Sequence, residues 1–214
     1  MRTPSISLTP EGWPSIILAA TATVTFALLD WPVLAVLALI ALALLVNFFR
    51  DPERFVPGDA GVAVAPADGR IIKVGTATDP LSGEERTVVC IFMNLFNVHV
   101  NRACVAGTVE NMRYWEGKFI NASFDKASQD NERLAVRVVD EEGAGWTMVQ
   151  IAGLVARRII LWAEKGDKVN RGQRYGMIKF GSRVDVYLPV GYQPAVTVGG
   201  RTAAGQTVIA RKAG

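Results

Sequence analysis

Histidine and cysteine are scarce in this 214-residue chain, which contains one histidine and two cysteines. Cys90 and Cys104 lie in apolar, strand-like runs, with no CxxC pair and no Cys/His cluster. This scarcity leaves no ligand set for a structural zinc site, and we expect no metal. Isolated cysteines of this kind are typical of buried thiols in a reducing compartment. The composition also excludes a disordered, collagen-like or coiled-coil protein.

Charge is nearly absent from the first 49 residues, which carry only three charged side chains. Two apolar runs of 14 residues, Ile16–Leu29 and Val33–Val46, are separated by Asp30-Trp31-Pro32. As a helix each run spans about 21 Å, which is shorter than the roughly 30 Å hydrocarbon core of a bilayer. Proline disfavours helix at the residue before it, and tryptophan prefers the membrane interface. The pattern predicts an N-terminal hydrophobic helical hairpin.

We interpret residues 1–49 as a membrane-associating segment, either a hairpin that enters one leaflet or two short spans. The basic residues that follow, Arg50 and Arg54, favour a downstream domain on the cytoplasmic face of the cell membrane. A buried helical hairpin within a globular core is the alternative interpretation.

Residues 50–214 have a different pattern and a net charge of +4. Short β-branched runs alternate with Gly, Pro and Asp/Asn clusters, and no long stretch has helical periodicity. The fold class is therefore mainly β, in a domain of about 165 residues that is large enough for a core. The predicted strands are Gly61–Val64, Ile71–Val74, Thr87–Leu95, Val105–Val109, Leu134–Val139, Thr147–Leu154, Arg158–Ala163, Met177–Phe180, Val184–Pro189 and Ala195–Val198.

One turn within this domain is more specific. Residues 165–176 follow the pattern G-D-x-V-x-x-G-Q-x-x-G that occurs in lipoyl- and biotinyl-type barrel-sandwich hybrids. Its glycines permit tight connections, and Val169 is predicted to point into the core. No lysine stands at a hairpin tip, as a swinging-arm carrier would need.

Three residues could carry chemistry: Asp68 in A-P-A-D-G-R, His99 in F-N-V-H-V-N-R, and Ser182 after Gly181. A single aspartate, histidine or serine in such a context is more often structural than catalytic, and Asp-Gly is a common hairpin dipeptide. Together they supply the acid, imidazole and hydroxyl of an activated serine. No G-x-S-x-G motif supports a hydrolase.

Several motifs, which occur along the chain in the order typical of the family, resemble those of the phosphatidylserine decarboxylase proenzyme family, and in particular of its short, archaetidylserine-decarboxylase-like branch. The motifs that carry the resemblance are Asn47–Arg54, Ala65–Arg70, Phe92–Arg102, Gln150–Arg158 and Gly172–Pro189. The resemblance implies pyruvoyl-dependent decarboxylation of phosphatidylserine to phosphatidylethanolamine and CO2. It also implies autocatalytic cleavage at Gly181-Ser182 into a β chain, 1–181, and an α chain, 182–214.

The resemblance assigns a role to each of the three candidate residues. Ser182 would be converted to the pyruvoyl cofactor, which would form a Schiff base with the substrate amine. His99 would be the general base and acid, and Asp68 would orient His99. The Gly181 carbonyl, with no side chain beside it, would be attacked by the Ser182 oxygen.

Three positions depart from longer members of the family. Phe180 stands where those proteins have leucine before Gly-Ser, and Arg183 stands where they have threonine. Phe96 occupies the place of a second histidine, so any role of that histidine does not transfer to this chain.

The expected partners are a phospholipid substrate, the membrane and the two fragments of one proenzyme, and the resemblance favours a dimer of these. No nucleic acid partner is expected. The residues do not distinguish a glycerol diester from an archaeal ether lipid. Two other functions stay open: a membrane-anchored Ser-His-Asp hydrolase, and a barrel-sandwich adaptor without catalysis.

Overall fold

The computed structural model describes residues 6–154, 158–179 and 181–213. These residues belong to two compact units, Met1–Glu53 and Arg54–Gly214. Phe180, with the end of the predicted strand 177–180, lies outside the described residues. So do positions 155–157 of the motif Gln150–Arg158.

The first unit consists of two helices between two short strands. Its elements are β1 (Ile6–Leu8), a 3₁₀ turn (Pro10–Gly12), α1 (Trp13–Leu28), α2 (Pro32–Phe48) and β2 (Arg50–Pro52). β1 and β2 pair antiparallel, with Leu8 opposite Arg50. The helices form over the two apolar runs and pack against each other. Proline in the first turn of each helix costs no hydrogen bond, because the first amides of a helix have no internal partner.

The break between the helices is formed by residues 29–31, and Asp30 has a positive φ of 56°. Most side chains of α1 and α2 are exposed, including Leu18, Leu28 and Val33. No helix among the described residues combines the length and apolar character of a membrane-crossing helix.

The second unit is mainly β, as predicted, and its largest sheet curls into a half-barrel. The strand bounds are β3 (Val62–Val64), β4 (Gly69–Thr78), β5 (Glu85–Met93), β6 (Val100–Arg102), β7 (Gly107–Trp115), β8 (Arg133–Val139), β9 (Gly145–Ala152), β10 (Ile159–Leu161), β11 (Lys168–Val169), β12 (Arg174–Ile178), β13 (Ser182–Tyr187), β14 (Tyr192–Pro194), β15 (Arg201–Thr202) and β16 (Val208–Lys212). The largest sheet has eight strands in the order β11-β7-β8-β9-β13-β5-β4-β15, and two sheets of three strands have the orders β10-β12-β6 and β14-β16-β3. A short helix, α3 (Ala127–Asp130), precedes β8.

The predicted strand Ala195–Val198 is wrong. The strand in this region is β14, which ends at Pro194, and Ala195 N then donates to Ile209 O at 2.8 Å. The chain then turns, with Gly200 N donating to Thr197 O. The apolar residues of the run therefore lie in a loop that leads into β15.

The main core lies on one face of the eight-stranded sheet. It includes Val89, Ile91, Met148, Val184 and Val186, all at most 1% exposed. The turn over residues 165–176 contributes the buried Val169 to this core. A smaller cluster lies on the opposite face of the same sheet.

Candidate active site

Ser182 begins β13, a central strand of the eight-stranded sheet. Met93 of β5 lies opposite it on one side and Ala152 of β9 on the other. The Ser182 side chain is fully buried, and its Oγ has no hydrogen-bond partner among the described residues. Burying a hydroxyl without a partner costs free energy, so such an atom in a folded protein requires an explanation. Function is one explanation, because an unsatisfied hydroxyl is ready to react.

The peptide bond before Ser182 depends on two glycines. Gly181 has a φ of 63°, a left-handed conformation that favours glycine. Its carbonyl lies against Gly153, which follows β9. A Cβ added at Gly153 would overlap the Gly181 carbonyl oxygen and lie 3.0 Å from the carbonyl carbon. Gly181 is therefore required for its conformation, and Gly153 for the space that the carbonyl occupies.

A buried amide pair, Asn101 and Gln150, lies beside Ser182. Gln150 Nε2 donates to Asn101 Oδ1 at 2.8 Å, and Asn101 Nδ2 lies 3.7 Å from the sulfur of Met93. Gln150 pairs with Val184, two residues after Ser182, so its side chain lies on the same face of the sheet as Ser182. Gln150 Oε1 is buried with no partner among the described residues. Two unsatisfied polar atoms, Ser182 Oγ and Gln150 Oε1, thus lie in one buried region.

His99 immediately precedes β6 and is fully buried. Its Nδ1 lies 2.9 Å from the Asn97 carbonyl oxygen. A carbonyl can only accept, so Nδ1 carries the proton in this contact, and Nε2 is the nitrogen that can accept a proton. Strand alternation puts His99 on the same side of the chain as Asn101, which reaches Met93 opposite Ser182. No hydrogen bond joins the His99 and Ser182 side chains, so their direct contact stays a prediction.

The Asp68 carboxylate is bound by groups other than His99. Its Oδ2 accepts a hydrogen bond from Arg54 Nη2 at 2.8 Å, and its Oδ1 accepts one from the backbone of Ala204 at 2.7 Å. Both side chains of the Arg54–Asp68 ion pair are mostly buried. His99 is not among the hydrogen-bond partners of Asp68 in the described part of the chain. The structure thus places Asp68 near an arginine, and its role in orienting His99 stays a prediction.

Sequence reasoning missed four residues that build this region: Arg54, Asn101, Gln150 and Gly153. All four lie inside the motifs that carry the family resemblance, or next to them, which is the only signal that could have found them. Their residue types carry no chemistry alone, and sequence spacing does not reveal that Arg54 reaches Asp68 or that Gln150 reaches Asn101.

The opposite face of β13 carries a buried ion pair. Arg183 donates from Nε to Asp185 Oδ1 at 2.5 Å and from Nη2 to Asp185 Oδ2 at 2.9 Å. Nη2 also lies 3.0 Å from the sulfur of Cys90. Burial raises the pKa of the Asp185 carboxyl, and the Arg183 guanidinium opposes that rise. Burial also raises the pKa of the Cys90 thiol, which is therefore no nucleophile at neutral pH.

A curled sheet with a buried, unsatisfied serine after a left-handed glycine fits the activated-serine class of site. Comparison with known proteins then gives the family. A family model described as "Phosphatidylserine decarboxylase" matches residues 41–210. The chain belongs to this family, as its motifs predict.

Close relatives match over their whole length. A protein named "Phosphatidylserine decarboxylase proenzyme" from Nitratidesulfovibrio vulgaris is 60% identical over 212 residues, which cover 99% of this chain and 98% of that protein. A protein of the same name from Solidesulfovibrio magneticus is 58% identical and covers both chains completely. A third, from Paraburkholderia phymatum, is 44% identical over 98% of this chain and 99% of its own length.

Proposed function

We propose that this chain is a proenzyme that cuts itself at Gly181-Ser182 and then decarboxylates phosphatidylserine to phosphatidylethanolamine and CO2. The observation that carries the proposal is the buried Ser182 Oγ, unsatisfied and next to a left-handed glycine. The family membership supplies the substrate and the reaction type.

In self-cleavage, His99 Nε2 accepts the proton of Ser182 Oγ, and the oxygen attacks the carbonyl carbon of Gly181. The peptide C–N bond breaks, the former amide nitrogen takes the proton, and an ester joins Gly181 to the serine side chain. Removal of the Ser182 α-proton then expels the Gly181 carboxylate. Water replaces the nitrogen on residue 182, ammonia leaves, and a pyruvoyl group remains at the start of the α chain.

The residues around position 182 fit such a group, because the conversion transfers the orphaned Oγ from residue 182 to the Gly181 carboxylate and leaves no buried, unsatisfied hydroxyl behind. A pyruvoyl group accepts the electrons that are released when a bound amino acid loses CO2. His99 is the only imidazole of the chain, so it also returns a proton to the substrate carbon. Asp68 orients His99 in this proposal, and Arg54 holds the Asp68 carboxylate in place.

Both fragments stay together after the cut because their strands are interleaved. β13 of the α chain hydrogen-bonds to β5 and β9, β15 to β4, and β16 to β3, all of which belong to the β chain. The pairing of α-chain strands with β-chain strands also favours a barrel-sandwich-like fold that includes the turn of residues 165–176. The functional unit is then a β–α heterodimer, and two of these form the dimer.

The N-terminal segment anchors the enzyme to its lipid substrate. α1 and α2 are apolar and mostly exposed, which is unfavourable in water and favourable in a bilayer. They act as a hairpin seated at the cytoplasmic face of the cell membrane, followed by the basic Arg50.

Self-cleavage is the decisive test. On a denaturing gel, purified protein is expected to show a fragment of about 3.5 kDa, the share of residues 182–214 in the 23.1 kDa chain. The pyruvoyl end blocks this fragment to Edman degradation. Ser182→Ala is expected to leave one intact chain. Ser128→Ala is the control, because it makes the same change in α3, where the hydroxyl contacts Asp185, and it is expected to cleave normally.

The gel also separates the other two functions. An intact wild-type chain that reacts with a fluorophosphonate probe would support a hydrolase instead. An intact chain that neither reacts with the probe nor releases CO2 would support the adaptor.

A further inference from the structure

Four large apolar side chains are exposed at one end of the eight-stranded sheet, and the proposed function does not use them. They are between 45% and 67% exposed: Leu95, Phe96, Phe124 and Leu154. We call them the apolar rim. Single exposed apolar residues are common on protein surfaces, whereas a group of them marks a contact site for another protein or a membrane.

The strand register places the apolar rim at the end of the sheet where β13 begins. β5 and β9 end at the two residues that lie opposite Ser182, so the loops that follow these strands flank the start of β13. The loop after β5 carries Leu95 and Phe96, and the loop after β9 carries Leu154.

Phe124 reaches the same end of the sheet from a third loop, between β7 and β8. Its carbonyl oxygen accepts a hydrogen bond from Arg183 Nη1 at 3.3 Å, and Arg183 directly follows Ser182. The rim therefore gathers residues from three loops that are far apart in sequence. All three loops lie at the end of the sheet that carries the candidate site.

Two exposed arginines add positive charge to this end. Arg70 of β4 and Arg201 of β15 are directly opposite each other, and Arg70 pairs with Phe92 near the end of β5. Both arginines line a cavity of about 600 Å³ together with Phe96 of the rim. In the described part of the chain neither guanidinium has a carboxylate partner, and Arg70 Nε donates to the Gly199 carbonyl at 3.2 Å. Like charges in this position destabilise a sheet, so the pair suits an anionic partner.

The opposite end of the sheet is acidic. Its hairpin turns, residues 79–84 and 140–144, carry five carboxylates and no basic residue. At the rim end, two carboxylates of the loop between β7 and β8 are within 4 Å of a lysine: Asp125 of Lys73 and Asp130 of Lys118. An anionic surface is therefore repelled by one end of the sheet and attracted by the arginines of the other, which sets the orientation of the second unit.

We propose that the apolar rim, with Arg70 and Arg201, docks the second unit on the surface of an anionic phospholipid bilayer. This inference rests on the proposed function, which supplies a phospholipid as the substrate. The apolar side chains enter the boundary between headgroups and acyl chains, and the guanidinium groups bind lipid phosphates. The bilayer then lies at the end of the sheet where β13 begins, and this contact is additional to that of the N-terminal helices.

A fluorescent label tests the contact in the full-length chain. Cys90 and Cys104 are buried, so a nitrobenzoxadiazole dye, which responds to the polarity around it, attaches to an introduced cysteine. Leu95→Cys and Leu154→Cys place the dye on the rim. Val190→Cys is the matched control, because Val190 is 93% exposed and follows β13 at the opposite end. With vesicles of phosphatidylglycerol and phosphatidylcholine, emission should rise and move to shorter wavelength at 95 and 154 but not at 190.

Binding to the same vesicles tests the charge. Arg70→Gln and Arg201→Gln should each lower the partition coefficient onto anionic vesicles about 5-fold, since one basic residue near such a surface has about that effect. Partition onto pure phosphatidylcholine vesicles should not change. Arg211→Gln is the control, because it removes the same charge next to Lys212, which pairs with Glu142 of an acidic turn. All variants should cleave themselves as fast as the wild type on a denaturing gel.

Four outcomes would overturn the proposal. A dye at 95 and 154 that ignores vesicles would show that this end stays in water, and an equal response at 190 would show that docking has no orientation. A response that needs protein concentration and no vesicles would make the rim an interface between copies of this chain. Arginine variants that partition like the wild type would remove the charge from the contact. Failure of the proposed function looks different: the dye responds as expected, but the wild type neither cleaves nor releases CO2.

Discussion

Gly153 and Gly181 meet at the carbonyl that self-cleavage attacks under the proposed function. The carbonyl oxygen occupies the volume where any other residue at position 153 would place its Cβ. Nothing in the local sequence explains a glycine at position 153, which directly follows the fully buried strand β9. Its reason is the approach of another backbone segment.

We therefore predict that Gly153→Ala folds but cleaves itself about 100-fold more slowly, since displacement of a reacting group by about 1 Å has an effect of that order. The rate is measured as the appearance of the 182–214 fragment on a denaturing gel. Gly145→Ala, at the other end of β9, is the control, because its methyl would meet only the flexible tip of Arg137. Cleavage of Gly153→Ala at the wild-type rate would show that the carbonyl has room to move.

Among the elements, β13 is held from both faces. Ser182 and Val184 face the main core, and Arg183 and Asp185 form the buried ion pair on the other face. Removing one partner of such a pair leaves a buried, uncompensated charge, whereas removing both leaves none.

We predict that Arg183→Met lowers the free energy of unfolding by about 3–5 kcal/mol and that Arg183→Met/Asp185→Leu recovers most of this loss. Urea unfolding of both variants in the Ser182→Ala background, which keeps a single chain, measures the effect. An equal loss in the single and the double variant would show that packing, not charge, holds this face.

The loss should depend on pH in a defined direction. Burial raises the folded-state pKa of Asp185 above its ordinary value of 3.8, so its ionisation destabilises the fold as pH rises. Without Arg183 only the hydrogen bond with Cys90 and the charge of Lys73 oppose this rise, and they are the smaller contributions. The deficit of Arg183→Met is therefore largest at neutral pH and shrinks as pH falls toward 4, and a deficit that is constant with pH would contradict this account.

Elements with strong local patterns were predictable from the sequence. Residues 184–189 alternate in polarity, and 87–95 are almost continuously apolar; both lie in central strands, β13 and β5. The strands β6, with three residues, and β15, with two, were not predicted, because strands this short form only when they pair with a neighbouring strand. The same limit applies to the site: motifs predicted Asp68, His99 and Ser182, but contacts between distant residues, such as Arg54 with Asp68, require the fold.

For the whole molecule, the division into two units separates the apolar N-terminal helices from the candidate site. Every residue of the main core belongs to the second unit, and so do all residues of the candidate site. We predict that a chain without residues 1–46 still cleaves itself. Its activity on soluble dihexanoyl phosphatidylserine should survive, and its activity on phosphatidylserine vesicles should fall by at least 10-fold.

The full-length variant Leu18→Lys/Leu37→Lys provides a second test. Both leucines are exposed, so the fold should tolerate lysine, whereas lysine within an apolar membrane segment is strongly unfavourable. It should lose vesicle activity and keep soluble activity. Equal activity of the truncated chain on both substrates would show that the N-terminal unit has no anchoring role.

The position of β13 between two strands of the other fragment limits how long each molecule can work. Under the proposed function the reactive terminus is made in place, inside a sheet whose neighbours β5 and β9 hydrogen-bond to it along its length. No free cofactor can enter to replace a spent one, and no fresh α chain can exchange into the sheet without unfolding it. A single side reaction at residue 182 therefore inactivates the whole molecule irreversibly, and the supply of active enzyme depends on new synthesis.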